Sequence, residues 1–349
     1  MNPLNRFACA LLAGSSVLLA GCWERPPIDT SQNGFRGTAM VQMSNPRVVE
    51  AGGGLVLPQP SSPPSPGGPS AGSAYKNVKV LNDLDVGSFT RLMVSMSNWI
   101  APNESCAYCH KPGEDFSSDS LYTKVVARRM LTMTRHINTD WKNHVADTGV
   151  TCYTCHRGNP VPQQVWFTDP ATLATLANAG NRYMQNAPSK AAGLASLPVD
   201  PFTTFLLQSG EIRMTGPDAL PSGHKASIQH TEWTFSLMTH MSKGLGVNCT
   251  FCHNSRAFND WEGSTPQRST AWYGIRMVRD INVKFMEPLA SSFPPERLGP
   301  LGDAPKANCA TCHQGVSKPL GGAQLLADHP ELGPRMATTT ASASTGRKR

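Results

Sequence analysis

The sequence has no cysteine pair left over for a disulfide framework. It contains 10 cysteines in 349 residues, and eight of them fall into four copies of one short motif. The remaining two, Cys9 and Cys22, lie near the N-terminus. Disulfide-dense secreted domains need paired cysteines along the chain. That class is therefore excluded, and the length leaves room for one or two domains.

The chain also lacks a long hydrophobic run. A membrane-spanning helix needs about 20 apolar residues, whereas the apolar stretch at 7–20 is shorter and follows Arg6, as in an export signal. The stretch ends in Leu19-Ala20-Gly21-Cys22, which resembles a bacterial lipobox. We therefore predict a signal peptide over 1–21 and lipid attachment at Cys22. An ordinary cleaved signal and an uncleaved anchor are the alternatives.

Basic stretches interleaved with aromatic residues are missing as well. The net charge is +7, and the basic residues form small clusters such as Arg128-Arg129 and the terminal 347–349. This mild excess suits an acidic soluble partner or an anionic membrane surface, although such clusters are usually only solvated. No nucleic-acid partner is expected.

The feature that dominates the sequence is the motif Cys-x-x-Cys-His. In c-type attachment the two thiols bond the vinyl carbons of a haem, and the histidine becomes the proximal iron ligand. A redox pair or half a zinc site would explain a lone Cys-x-x-Cys, but not a histidine after each of four pairs. The sequence predicts four haem c groups, held by Cys106, Cys109 and His110; by Cys152, Cys155 and His156; by Cys249, Cys252 and His253; and by Cys309, Cys312 and His313.

Apolar spacing predicts one helix before each motif. The predicted ranges are 85–99, 119–147, 227–243 and 266–286. Thr265 is a plausible N-cap of the last helix, with Pro266 in its first turn. Few segments alternate as strands do, so the predicted fold class is mainly α with long loops.

An internal duplication relates the two pairs of motifs. Met93 matches Met238 (238 − 93 = 145), and Met133 matches Met277 (277 − 133 = 144). We therefore expect two two-haem halves related by a pseudo-twofold axis. The predicted organisation is a signal peptide (1–21), a Pro-, Gly- and Ser-rich arm (22–75), a first half (76–160), a connecting segment (161–226), a second half (227–325) and a disordered tail (326–349).

The second axial ligand decides what each haem does. An iron with both axial positions filled by side chains transfers electrons, whereas an iron with one vacant axial position binds substrates. Met93 and its mate Met238 are the predicted ligands of haems one and three, and Met130 is that of haem two. Methionine in an apolar stripe is more often core packing, so rival methionines stay open: Met96, Met241 and Met133.

The duplication breaks down at the fourth haem. The mate of Met130 is Gly274, so the last helix lacks the expected methionine. On a single helix His144 would share a face with Met130, about 21 Å further along the axis, and it is the predicted ligand. The rivals are Met277, Met286, His136, His224, His230 and His240. This assignment makes haems two and four neighbours, and the array runs one–two–four–three.

If side chains fill both axial positions of every iron, the protein is predicted to be an electron carrier and not an enzyme. Two other functions remain open on this evidence. One is a multihaem reductase with one open iron, and the other is a free lipoprotein shuttle.

Long specific runs also resemble the tetrahaem cytochrome c subunit of purple bacterial photosynthetic reaction centres. The resemblance covers nearly the whole chain and includes residues 33–37, 75–81, 125–131, 148–158, 264–268 and 274–280.

That resemblance implies a lipid-anchored subunit on the periplasmic face of the photosynthetic membrane, docked on the L and M subunits. It implies re-reduction of the special-pair bacteriochlorophyll by haem three. It also implies that haem one accepts electrons from a soluble donor, a cytochrome c2-like protein or a high-potential iron–sulfur protein. The family's ligand pattern falls on Met93, Met130, Met238 and His144, and Arg268 resembles an arginine that raises the potential of haem three.

Overall fold

The computed structural model describes residues 27–51, 54–60, 62–63, 67–168, 188–214 and 228–334. The predicted signal peptide, Cys22, His224 and most of the predicted tail lie outside the described residues. Within the described ranges, no helix has both the length and the apolar character that crossing a membrane requires.

The architecture is mostly helical, with long loops and little sheet. The helices are α1 (Pro46–Ala51), α2 (Ala71–Ala74), α3 (Val86–Ile100), α4 (Tyr122–Asp140), α5 (Lys142–Val145), α6 (Cys152–His156), α7 (Ile228–Leu245), α8 (Pro266–Ile281), α9 (Cys309–His313) and α10 (Leu325–Asp328). The strands form two separate antiparallel pairs, β1 (Asp29–Gln32) with β2 (Val41–Ser44) and β3 (Val165–Trp166) with β4 (Lys306–Ala307). Wide π turns occur at Thr203–Leu207 and Asn282–Met286.

Three of the four predicted long helices are confirmed to within a few residues. Helix α3 begins where Asp85 caps it, because the carboxylate accepts a hydrogen bond from the Ser88 backbone N–H at 3.0 Å. Helix α8 begins after Thr265 as predicted, with Pro266 in its first turn, and changes to a π turn at Asn282.

The prediction of one continuous helix over 119–147 is wrong, because the helix is interrupted at Trp141. That residue has φ −113° and ψ 29°, which ends α4 at Asp140 and starts the short α5. The Trp141 indole N–H donates to the Asp280 carboxylate at 3.1 Å, so a long-range contact anchors the break. His144 therefore lies on α5, and the argument that it shares a helix face with Met130 does not hold.

Buried apolar residues form two cores. The first joins α7 and α8 to the π turn at 203–207 and includes Leu237, Ile275 and Phe205. The second joins α3 and α6 to the C-terminal segment and includes Leu92, Tyr153 and Leu332. The cores thus place a helical scaffold beside each pair of motifs.

The C-terminal segment 326–334 corrects the prediction that the tail is disordered from residue 326. It contains the end of α10 and a turn at Pro330–Leu332, and Leu332 is fully buried. Its ordering follows from packing on α4, because the Asn138 amide donates to the Leu332 carbonyl at 2.8 Å.

Two buried asparagines fix the chain that leads into motifs two and four. The Asn138 amide donates to the Val150 carbonyl at 2.9 Å and accepts from the Val150 N–H at 2.7 Å. Asn282 makes the same pair of bonds with Ala307, at 2.9 and 2.8 Å. Buried polar groups without partners are costly, so each asparagine holds its segment in one register.

Candidate haem sites

Each motif is a single tight turn that brings its cysteines and histidine together. Motifs two and four are the short helices α6 and α9. A capping box starts α9, where the Asn308 N–H donates to the Thr311 hydroxyl at 2.9 Å and the Thr311 N–H donates to the Asn308 side chain at 3.2 Å. At the start of α6 the Thr151 N–H donates to the Thr154 hydroxyl at 3.0 Å. Both helices end at a left-handed residue, Arg157 (φ 47°) in one and Gln314 (φ 48°) in the other. Motifs one and three are 3₁₀ turns instead, at Ser105–Tyr108 and Cys249–Phe251.

All four motif histidines have the same ring orientation. The Nδ1 atom of each contacts a backbone carbonyl, and the partners are Phe116 at 3.2 Å for His110, Asn159 at 2.8 Å for His156, Phe258 at 2.9 Å for His253 and Val316 at 3.0 Å for His313. Such a bond sets the tautomer of a metal-binding imidazole and leaves Nε2 as the ligand atom. The four rings are therefore prepared to bind iron.

The protonation of these rings suits the same role. Burial lowers the pKa of His313 to about 4, and it also lowers the pKa of His110, His156 and His253 below the usual value. The imidazoles are neutral at pH 7, which is the form that binds a metal.

Burial raises the pKa of several motif cysteines. Burial raises the pKa of Cys152 and Cys309 to about 12 and that of Cys252 to about 11. The raised pKa values keep these three thiols protonated at neutral pH, whereas the contact with Cys155 lowers the pKa of Cys312.

Motifs two and four are in direct contact. The Sγ atoms of Cys155 and Cys312 lie 2.7 Å apart. Two reciprocal hydrogen bonds flank them, because Arg157 donates to the Cys312 carbonyl at 3.3 Å and Gln314 donates to the Cys155 carbonyl at 3.4 Å. The structure thus makes the second and fourth motifs neighbours.

His144 faces the fourth motif. Its ring centroid lies 6.0 Å from that of His313, and its Nδ1 contacts the Thr270 carbonyl at 2.9 Å. Metal–imidazole bonds are about 2.0–2.1 Å long in zinc sites, so a separation of 6.0 Å between the two centroids accommodates one metal ion. Burial also lowers the pKa of His144. The pair fits an iron held from both sides.

Gly274 provides the space that His144 occupies. A Cβ atom at residue 274 would lie 2.5 Å from His144 Cε1 and 2.8 Å from its Nδ1. Any side chain there would displace the ring, so the missing methionine of the second half and the extra histidine of the first are two parts of one arrangement.

The methionines divide by burial. Met93, Met130 and Met238 are partly exposed, as residues facing a cofactor would be in a protein without it. Among their rivals, Met96, Met241 and Met277 are buried. Met133 is partly exposed like the predicted ligands, and it packs against the first core as Met238 does. Met286 lies in the π turn that follows α8. Burial thus favours Met93 over Met96 and Met238 over Met241, whereas Met130 and Met133 are equally exposed.

The rival histidines are placed elsewhere. Both ring nitrogens of His136 contact carboxylates. The Nε2 of His240 is enclosed without a partner among the described residues, and its ring packs on Phe202 at 4.6 Å. His230 is exposed on α7. Among the histidines outside the motifs, only His144 has a ring contact with a motif histidine in the described part of the chain.

Arg268 lies beside the third motif. Its guanidinium donates to the Asp260 carbonyl at 2.5 Å and stands over the Trp261 ring, 5.0 Å from the centroid. Burial raises the pKa of the Cys252 thiol, and the charge of Arg268 acts against that rise. Its positive field therefore reaches the predicted haem attachment site.

Several residues that shape these sites were not found from the sequence. Thr123 donates to the Tyr108 carbonyl at 2.5 Å and Thr265 to the Phe251 carbonyl at 2.6 Å, which holds the turns of motifs one and three. Phe116 and Phe258 supply the carbonyls for His110 and His253 and also pack against those rings. Both pairs have an offset of 142 (265 − 123 and 258 − 116), which differs from the 144 and 145 of the helices, so the repeat read from the helices does not align them.

Comparisons with known proteins identify the family of the chain. The family profile of the photosynthetic reaction centre cytochrome c subunit matches residues 24–333. The subunit from Rubrivivax gelatinosus is 51% identical over 94% of this chain and 90% of its own length. That from Thermochromatium tepidum is 51% identical over 95% and 82%, and that from Roseobacter denitrificans is 41% identical over 95% and 94%. The chain therefore belongs to the reaction centre cytochrome c subunits, a family of electron carriers with covalently bound haem c.

Proposed function

We propose that the chain carries four haem c groups and re-reduces the photo-oxidised special-pair bacteriochlorophyll of the reaction centre. The observation that carries this proposal is the set of five prepared histidines. In His110, His156, His253, His313 and His144, Nδ1 contacts a backbone carbonyl and Nε2 is left for a metal. Bound haem iron would supply the one-electron chemistry.

The proposed second ligands are Met93, Met130 and Met238 for haems one to three and His144 for haem four. With both axial positions filled by side chains, none of the irons would bind a substrate. Methionine ligation raises the potential relative to histidine, so haem four has the ligand set expected for a lower potential. This arrangement favours an electron carrier over a reductase.

Two pseudo-twofold-related halves, 76–160 and 227–325, joined by 161–226, are part of the proposal. Matched contacts support it. Asn138 and Asn282 hold corresponding segments, and Thr123 and Thr265 hold corresponding turns. The left-handed caps at Arg157 and Gln314 form a third matched pair.

The proposed order of the haems is one–two–four–three. The contact between Cys155 and Cys312 supports the central pair, since the second and fourth motifs touch. The order makes a continuous path whose ends are haems one and three.

Each proposed end of the path carries an exposed aromatic ring. Phe116 is 71% exposed and packs 4.8 Å from the His110 ring; Phe258 is 46% exposed and lies 5.4 Å from the His253 ring. We assign haem one to a soluble donor, cytochrome c2-like or a high-potential iron–sulfur protein, and haem three to the L and M subunits. Lipidation of Cys22 would hold the chain at the periplasmic face of the membrane.

Carbon monoxide binding and low-temperature electron paramagnetic resonance test whether both axial positions of each iron are occupied. The holoprotein in isolated membranes should show four low-spin haems and no rapid carbon monoxide binding after reduction. A high-spin or rapidly reacting haem would support the reductase instead.

Flash excitation tests the partner. Haem oxidation should follow the flash in membranes that contain the reaction centre, and removal of the chain should slow re-reduction of the special pair. If the chain separates from bacteriochlorophyll-containing complexes and shows no flash-induced oxidation, it is a free shuttle.

A further inference from the structure

The side chain of Arg157 crosses from motif two to motif four. Arg157 directly follows His156, the predicted proximal ligand of haem two, and its backbone is left-handed (φ 47°, ψ 45°). Its Nη2 donates to the Cys312 carbonyl at 3.3 Å, and Cys312 is predicted to hold haem four. One guanidinium therefore lies beside the attachment sites of both middle haems.

The matching residue after motif four carries no charge. Gln314 follows His313 as Arg157 follows His156, with the same left-handed backbone (φ 48°, ψ 46°). Its side-chain amide donates to the Cys155 carbonyl at 3.4 Å, which is the reciprocal bond. An uncharged side chain thus makes the same kind of bond between the two motifs, so the contact does not require the charge of Arg157.

The charge of Arg157 is not balanced by a carboxylate of the described residues. The arginine ion pairs in these ranges belong to Arg91, Arg128 and Arg135. The Nε of Arg157 is enclosed and has no hydrogen-bond partner among the described residues. A guanidinium stays protonated in proteins, and a buried donor without a partner is destabilising. The Nε–H therefore suits an anionic group such as a haem carboxylate.

The positive field of Arg157 reaches both motifs. Burial lowers the pKa of His313, and the charge of Arg157 lowers it further. The contact with Cys155 lowers the pKa of Cys312, and Arg157 acts in the same direction. The contact with Cys312 raises the pKa of Cys155, and there Arg157 opposes the rise. The residues that would hold haems two and four thus experience the same cation.

We propose that Arg157 is a fixed positive charge shared by haems two and four and that it raises the reduction potentials of both. This inference rests on the proposed tetrahaem function. Ferric iron carries one more positive charge than ferrous iron, so a nearby cation favours the ferrous form, and more strongly in a protein interior than in water. Histidine ligation by His144 acts in the opposite direction at haem four. Arg157 would therefore reduce the potential step that an electron meets at the centre of the path.

Redox titration of the holoprotein, resolved by haem, tests the proposal with Arg157→Gln. This variant removes the charge and keeps a side chain of the kind that makes the reciprocal bond at residue 314. The equilibrium constants for reduction of haems two and four should both fall by about tenfold, which is about 59 mV for one electron, and those of haems one and three should change less. Arg157→Lys keeps the charge and should retain most of the natural potentials.

The reciprocal variant Gln314→Arg should change the potentials in the opposite direction. It places a second guanidinium at the matching position, so the potentials of haems two and four should rise, and it provides a second measurement if Arg157→Gln assembles poorly. Lys111→Gln is the control, because it makes the same change directly after motif one, where the ammonium is exposed and lies 2.6 Å from Glu114. It should leave the two middle potentials unchanged.

Unchanged middle potentials in Arg157→Gln, or an equal shift at all four haems, would overturn the proposal. So would a fall of the middle potentials in Gln314→Arg. Failure of the proposed function gives a different result, because carbon monoxide binding or the absence of flash-induced oxidation reveals it in the natural chain, without any variant.

Discussion

At the scale of single residues, the fourth site depends on a glycine. Gly274→Ala would place a Cβ 2.5 Å from His144 Cε1, and such a contact in a packed interior forces the ring to move. We expect the variant to lose or weaken the bond of His144 to haem four. A new high-spin haem signal and rapid carbon monoxide binding at one haem would show this.

The control is Ser269→Ala, which changes an exposed position of α8 by a similar volume. Four low-spin haems with unchanged potentials in Gly274→Ala would mean that His144 is not the ligand.

Replacing His144 by methionine tests the same assignment, that His144 is the ligand of haem four, through the reduction potential of that haem. His144→Met should raise the potential of one haem, because methionine favours the ferrous state relative to histidine, and leave the other three nearly unmoved. A redox titration that resolves the four haems measures this. A shift in all four, or in none, would contradict the assignment.

His240 makes stability depend on pH. Its folded pKa is lowered to about 4 by burial, from 6.5, so below pH 6.5 the unfolded chain binds a proton that the folded chain excludes. The free energy of unfolding is therefore unaffected by this proton above pH 6.5. It falls by about 3 kcal/mol in all as the pH decreases towards 4.

Denaturant unfolding of the holoprotein at pH 7 and pH 4.5, compared with His240→Leu, measures that loss. The variant should lose less stability between the two pH values than the natural chain. Equal losses would show that His240 is not responsible.

At the scale of elements, the two asparagine clamps, Asn138 on Val150 and Asn282 on Ala307, should stabilise the fold by similar amounts. Asn138→Ala and Asn282→Ala each leave buried backbone groups without partners, and each loss should cost about 1–3 kcal/mol per unpaired group. The midpoint of denaturant unfolding should fall by similar amounts in the two variants.

A much smaller effect at one clamp would argue against equivalent halves. Thr139→Ala, on the exposed side of α4 next to Asn138, is a suitable control because its hydroxyl bonds only within the helix, to the Arg135 carbonyl.

Helix boundaries show where local pattern is reliable and where it is not. Apolar spacing predicted α3, α7 and α8 closely. The Asp85 side chain caps the start of α3, whereas the Thr265 side chain makes no cap hydrogen bond and donates to the Phe251 carbonyl instead. The break at Trp141 has no local signal. It is associated with a hydrogen bond to Asp280, a residue on another helix.

At the scale of the whole molecule, the two exposed rings should separate entry from exit. Phe116→Ala should slow reduction by the soluble donor several-fold without changing flash-induced oxidation, because the ring covers the ligand of the proposed entry haem. Phe258→Ala should do the reverse.

Flash kinetics with and without the donor measure both steps, and each variant is the control for the other. Equal effects of both variants on one step would contradict the assignment of the two ends.

The N-terminal arm also takes part in the whole-molecule arrangement. The Met40 N–H donates to the Thr250 hydroxyl at 2.8 Å, and the Asn248 amide donates to the Met40 carbonyl at 3.0 Å. The β1–β2 hairpin therefore lies on the third motif, which composition alone, rich in Pro, Gly and Ser, did not indicate.

Local sequence was sufficient to predict the attachment chemistry. The two thiols and the histidine of each motif are close in the chain, so one tight turn brings them together whatever the rest of the fold does. The duplication likewise indicated, through Gly274, that the fourth site differs from the others. Long-range packing alone brings His144 to His313, Cys155 to Cys312 and His136 to Asp280. These pairs are far apart in the chain, and contacts at such separation depend on how helices pack, which periodicity and spacing do not specify.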